Sequence, residues 1–214
     1  EGMKDMKTAV LTDSTAYIPE DVRKEWDIHM VPLNVIFGTE SYREEIDITV
    51  DEFYEKMRSV SELPKTSQPS IGHMQTTLEE LAKDYDAVIA IHLSSGISGT
   101  LQGTLAAGEF VEGIKVYGFD SKYSCMAQGF YVLEAAKLAK EGVEPEKTME
   151  RITHIRDITK AYFVVDDLTN LHKGGRLSGA QAMIGGLLQI KPILHFVDGK
   201  IEAFEKIRTR KKAL

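Results

Sequence analysis

Three short stretches concentrate the residue types of this chain that could do chemistry: Asp13-Ser14-Thr15, Ser94-Ser95-Gly96-Ile97-Ser98-Gly99-Thr100 and Asp120-Ser121. Hydroxyls and unhindered backbone dominate them, and Lys122 is the only cation beside them. Neutral donors next to the unpaired amides of helix starts suit one carboxylate or another small anion. They suit a polyphosphate less well, and neither a P-loop nor a G-x-G-x-x-G turn occurs to announce a nucleotide. Gly96-Ile97-Ser98-Gly99-Thr100 misses the G-x-S-x-G elbow of serine hydrolases only at its last position. Six histidines are present, none at a diagnostic spacing from Ser98, so a serine-dependent acyl hydrolase using Ser98 stands as the competing reading.

Metal chemistry has less support. No H-E-x-x-H, paired-cysteine or clustered-histidine spacing occurs, and Asp120 and Asp166-Asp167 could either hold a cation or cap loops at strand ends. The single cysteine, Cys125, excludes an internal disulfide framework and fits a reducing compartment. Leu171-His172-Lys173-Gly174-Gly175-Arg176 joins two cations to a freely turning backbone, as an anion site, a partner's dock or a solvated loop would. Beyond it, 180–190 is small and apolar, a mobile lid or a buried helix. Five cations fall within Lys206 to Lys212. The formal charge of -7 argues against general nucleic-acid binding. There is no run of eighteen apolar residues and no apolar signal core at the start, so no stable membrane insertion is expected.

Elements must bring these stretches together. Thr8 to Thr12 reads as a strand ending at Asp13, followed by a helix near Pro19 and a strand from His29 to Phe37 that Pro32 marks as an edge or end. Thr49 with Glu52 forms a capping-box pattern for a helix turning Phe53, Met57 and Val60 inward. The polar stretch Lys65 to Ser70 caps another, with Ile71, Met74, Leu78 and Leu81 on one face. Ala87 to Leu93 is almost continuously apolar, as a strand covered on both faces should be. A helix from Thr100, a strand from Ile114 to Phe119 and helices from Ser124 and Pro145 continue the alternation, which implies parallel strands joined by crossovers. Asp198-Gly199 between two apolar runs signals a hairpin. The expected fold is α/β in two lobes, a parallel-sheet α/β lobe over 7–160 and an incomplete α+β lobe over 161–214. In such sheets ligands bind beyond the carboxyl ends of the strands, where the three hydroxyl stretches lie.

Taken together, Asp13-Ser14-Thr15, Thr66-Ser67-Gln68-Pro69-Ser70, Leu93 to Thr100, Asp120-Ser121, Lys173 to Arg176, Lys191-Pro192 and Arg208-Thr209 occur in an order and spacing that resembles the DegV family, in particular the fatty-acid-binding subunits of bacterial fatty acid kinases. The resemblance runs from about residue 7 to the end. It implies a non-catalytic cytoplasmic protein of phospholipid metabolism that buries one long-chain fatty acid, such as palmitate, between two lobes. It also implies a carboxylate bound by Thr66, Ser98 and Gly99, with Ser67, Ser95 and Thr100 in support. The segment after Arg176 would cover the acyl tail, while Lys173, Arg176 and Arg208 would face a kinase that supplies ATP and magnesium and makes acyl-phosphate. No cofactor or metal is implied. Members of the family usually continue further and carry a histidine near the carboxylate there, so a fragment ending within the second lobe is expected. Burying the tail gains roughly 0.8 kcal/mol per CH₂, and hydroxyls with amides can replace the water that the carboxylate loses.

Overall fold

The computed structural model describes residues 6–178 and 191–205. The chain divides into two compact units, Glu1–Ile158 and Thr159–Leu214. In chain order the first unit holds β1 (Thr8–Asp13), a 3₁₀ turn (Ser14–Ala16), α1 (Glu20–Glu25), β2 (Ile28–Val31), β3 (Asn34–Phe37), β4 (Glu40–Arg43) and α2 (Val50–Ser59). It continues with β5 (Lys65–Ser67), α3 (Ile71–Leu81), β6 (Ala87–His92), α4 (Thr100–Gly108), β7 (Lys115–Asp120), α5 (Cys125–Lys140) and α6 (Pro145–Ile158).

Strands β2, β1, β6 and β7 form, in that order, a parallel four-stranded sheet. Every residue of β6 is buried, which is why its sequence is apolar without alternation. Val10, Ile89, Ile91 and Phe119 face Tyr131, Val132 and Ala135 of α5 and Ile152 of α6. Ala9, Leu11, Val88 and Ala90 face Met74, Leu78 and Leu81 of α3 and Ala107 of α4. The sheet is thus covered on both faces, and its carboxyl edge is left to the loops.

The expected strand from His29 to Phe37 is two strands in two sheets. β2 ends at Val31, and β3 instead joins a small antiparallel sheet of order β4-β3-β5. Pro32 lies at the break: it has no N–H to continue a ladder, so the chain changes direction and sheet there. The stretch Lys65 to Ser70 likewise does more than cap a helix. Its first three residues are β5, paired with β3, and only Ser70 caps α3, accepting from the His73 amide at 3.2 Å. Two residues expected to face inward do not: Val60 lies past the end of α2 and Ile71 opens α3, 38% and 48% exposed. The capping box at α2 is complete, with Thr49 Oγ1 accepting from Glu52 N at 3.2 Å and Glu52 Oε2 accepting from Thr49 N at 2.8 Å.

In the second unit β8 (Tyr162–Phe163), β9 (Ile193–Val197) and β10 (Lys200–Glu205) form an antiparallel sheet of order β10-β9-β8, with α7 (Thr169–Lys173) after β8. Asp198 and Gly199 make the two-residue hairpin with φ of 49° and 77°, the left-handed pair such a turn requires.

Candidate functional site

The carboxyl ends of β1 and β6 are joined by a buried polar network centred on Asp13, which is 1% exposed. Asp13 Oδ2 accepts from the Leu93 amide at 3.1 Å and meets His92 Nδ1 at 2.9 Å. A carboxylate only accepts, so Nδ1 carries a proton toward it, while Nε2 lies 2.8 Å from the Thr104 hydroxyl. Asp13 Oδ1 accepts the Thr15 amide at 2.9 Å and the Thr15 hydroxyl at 2.5 Å. Burial pushes the Asp13 carboxyl upward, but the hydrogen bond and charge of His92, the Thr15 hydroxyl and the Leu93 amide outweigh it and hold the group below its ordinary value. From Thr15 the network passes to Gln128 Oε1 at 2.9 Å and from Gln128 Nε2 to Thr12 Oγ1 at 3.2 Å, tying α5 to the sheet.

This network fixes the root of the loop that follows β6. Ser94 Oγ accepts from the Gly96 amide at 3.2 Å, and the Ser94 carbonyl accepts from Ser98 N at 3.1 Å. Asp120, at the end of β7, receives both the amide and the hydroxyl of Ser95 and the Lys122 amide at 2.9 Å. Asp120 therefore caps loops, the second of the two roles its position allowed. Among the described residues no group of three or more histidines, cysteines and acids is placed to hold a metal. The loop ends at half-buried Ser98, whose Oγ lies 2.8 Å from Thr100 Oγ1 and accepts the Thr100 amide at 3.2 Å. α4 then opens on Gly99 with no side-chain cap. The start of a helix is the positive end of its dipole, where a carboxylate is favoured.

Thr66 lies on β5 of the small antiparallel sheet. It is exposed, paired with Val35 across β3 and β5, two residues before Gln68. The Gln68 side chain lies along the start of α4: a methyl group on Gly99 would overlap its carboxamide oxygen, and one on Gly103 would stand 3.2 Å from its nitrogen. Through Gln68, the chain just after β5 packs against the start of α4. A second tie is Ser14, whose hydroxyl donates to Glu44 Oε2 at 2.6 Å while accepting from the Leu33 amide at 3.0 Å. Burial, reinforced by the charges of Asp13 and Glu45, raises the Glu44 carboxyl above its ordinary value despite the Ser14 bond.

Ser98 has no histidine among its hydrogen-bond partners, and the nearest in sequence, His92, is committed to Asp13 and Thr104. The hydrolase arrangement of nucleophile and adjacent base is not assembled among the described residues. Lys173 and Arg176 belong to the second unit, both exposed, with Arg176 Nη1 donating to Gly174 O at 2.5 Å. Arg208, the rest of the basic segment and residues 180–190 lie outside the described residues. His92 and Glu44 were not singled out from sequence as site residues, Asp13 only as one of the residue types that could do chemistry and Gln68 only within the stretch Thr66 to Ser70; the available signal was their place at strand ends or beside Thr66.

Comparison with known proteins identifies the architecture. A family model described as an uncharacterised protein of the DegV family matches residues 7–214. Protein DegV of Bacillus subtilis is 56% identical over 210 residues, covering 98% of this chain and 75% of its own. The crystal structure described as that of DegV, a fatty acid binding protein from Bacillus subtilis, superposes with a TM-score of 0.92 at 56% identity, over 97% of this chain and 74% of that one. A fatty acid binding DegV family protein from Streptococcus agalactiae gives 0.88 at 37% identity, over 97% and 74% of the two chains. One from Thermus thermophilus, with fatty acid binding in its description, gives 0.84 at 35% identity over the same shares, 97% and 74%. A parallel sheet with hydroxyl loops at its carboxyl edge, a small antiparallel sheet in the same unit and these matches along nearly the whole chain together make this protein a member of the DegV family.

Proposed function

We propose that this protein carries one long-chain fatty acid, such as palmitate, and presents its carboxylate to a separate kinase for conversion to acyl-phosphate, without catalysing chemistry itself. The observation that supports the reading is the start of α4, where the Ser98 hydroxyl stands beside the N-cap Gly99 and the Gln68 side chain, two residues on from Thr66, packs against the same glycine. Solved relatives at 35% to 56% identity are described as binding fatty acids, which supplies the ligand class. Tail burial then dominates affinity, on the order of 10 kcal/mol for a long chain before ordering losses. The head group needs only enough donors to replace its water, and weak fixation leaves an oxygen open to a phosphoryl donor.

In this reading Ser67, Ser95 and Thr100 support the head-group loop, the protein works in the bacterial cytoplasm without a cofactor of its own, and ATP and magnesium come with the kinase. Lys173, Arg176 and Arg208 form the docking surface. No helix among the described residues is long and apolar enough to cross a membrane.

The head-group assignment is tested by replacing Thr66 and Ser98 together with alanine. Acyl occupancy after purification should fall at least tenfold, the loss of about two hydrogen bonds to a charged group, with the circular dichroism spectrum unchanged. Retained occupancy would remove the assignment. Docking is tested separately by Arg176→Glu, which should leave occupancy intact and slow acyl-phosphate formation by added kinase; a normal rate would place docking elsewhere.

A further inference from the structure

The amino edge of the parallel sheet, away from the hydroxyl loops, holds a cavity of about 550 Å³, a size usual for small-molecule sites. It lies where β1 and β2 begin, just ahead of β6, and where α5 ends, so the carboxylate reading plays no part in it. Val10, Ala136 and Ala139 give it an apolar side. Two half-buried rings, Trp26 and Tyr85, line it as well, and Trp26 is the only tryptophan of the chain. The polar lining is unevenly matched. Lys7 Nζ stands 4.8 Å from the centre of the Tyr85 ring and Lys140 Nζ 5.0 Å from that of Trp26. The chain carries 33 acidic residues, yet among the described residues neither ammonium has a carboxylate partner. Of the two acids lining the cavity, Asp27 accepts the Tyr85 hydroxyl, which leaves Glu25. The Thr8 hydroxyl is buried and has no hydrogen-bond partner among the described residues. Two ammonium groups and a hydroxyl are therefore left over against one carboxylate, a surplus of donors that suits an anion.

We infer that this cavity is a second ligand site, separate from the one proposed for the fatty acid, and that it takes a small aromatic carboxylate. The ring of the ligand packs on Trp26 and Tyr85 and covers the apolar side, where an aromatic pair gains more than its buried area alone. Its carboxylate accepts from the ammonium groups of Lys7 and Lys140. Each ammonium is held over a ring by cation–π attraction, so the donors are in place before the ligand arrives and less ordering is lost on binding. The charge-assisted bonds distinguish an acid from an alcohol of the same shape, because a neutral head group makes weaker ones.

Because Trp26 is the sole tryptophan, its fluorescence reports on this cavity. The test saturates the protein with palmitate, then titrates it at neutral pH with 3-phenylpropionate, 3-phenylpropanol and 3-phenylpropylamine, which share one ring and differ in charge. The acid should shift the Trp26 emission saturably and bind about tenfold more tightly than the alcohol, and the amine should bind no better than the alcohol. Lys7→Met combined with Lys140→Met keeps most of each side chain but removes both charges. It should bring the affinity for the acid down to that for the alcohol while palmitate retention stays unchanged. An acid that produces no saturable shift, equal affinities for acid and alcohol in the wild type, or a preference for the acid that survives in the double variant would each overturn the inference, and none of these results touches the carrier reading.

Discussion

Glu44 is the residue whose chemistry is most at odds with its place. Its carboxyl is raised from the ordinary 4.5 because burial and the neighbouring Asp13 and Glu45 charges disfavour ionisation, while the unfolded chain has no such penalty. A group whose folded value is raised contributes stability that is fully present below its unfolded value and is lost as pH rises through the folded one. At neutral pH the ionised Glu44 therefore opposes folding, even though it accepts the Ser14 hydroxyl at 2.6 Å. Glu44→Gln keeps an acceptor for Ser14 and removes the charge. It should melt above wild type at pH 7, with the gap closing below about pH 4.5; equal melting temperatures at pH 7 would show that the carboxyl is well solvated. Through Ser14, Glu44 adjoins the hydroxyl stretch at the carboxyl edge of the parallel sheet. From sequence the hydroxyl residues of that edge were legible by type. The Asp13–His92 pair was not, because its members are 79 residues apart and pattern reading has no means to pair them.

At the scale of elements, legibility followed burial. β6 and the helices with an apolar stripe were readable because period and length are imposed by the core: Met74, Leu78 and Leu81 are all buried. The small antiparallel sheet was not. β4, Glu40-Ser41-Tyr42-Arg43, is a polar edge strand with little apolar pattern, and β5 is three residues flanked by prolines that advertise a loop. α7, at five residues, is too short for a period to register. This sheet nevertheless carries Thr66, so the part of the fold hardest to read holds one of the proposed head-group residues. Motif likeness supplied Thr66 and Ser98 where periodicity could not.

For the molecule as a whole, the acidic balance, the hydroxyl-rich edge and family membership support the proposed uncharged head-group site over a cationic anion trap. Such a site holds a lipid acid mainly by its tail and can release the head to another protein. Native mass spectrometry of the protein purified gently from cells is the most direct test. The carrier reading predicts one added mass equal to a long-chain fatty acid, lost on denaturation and regained on incubation with palmitate. A protein that arrives empty and gains no mass with palmitate would contradict it.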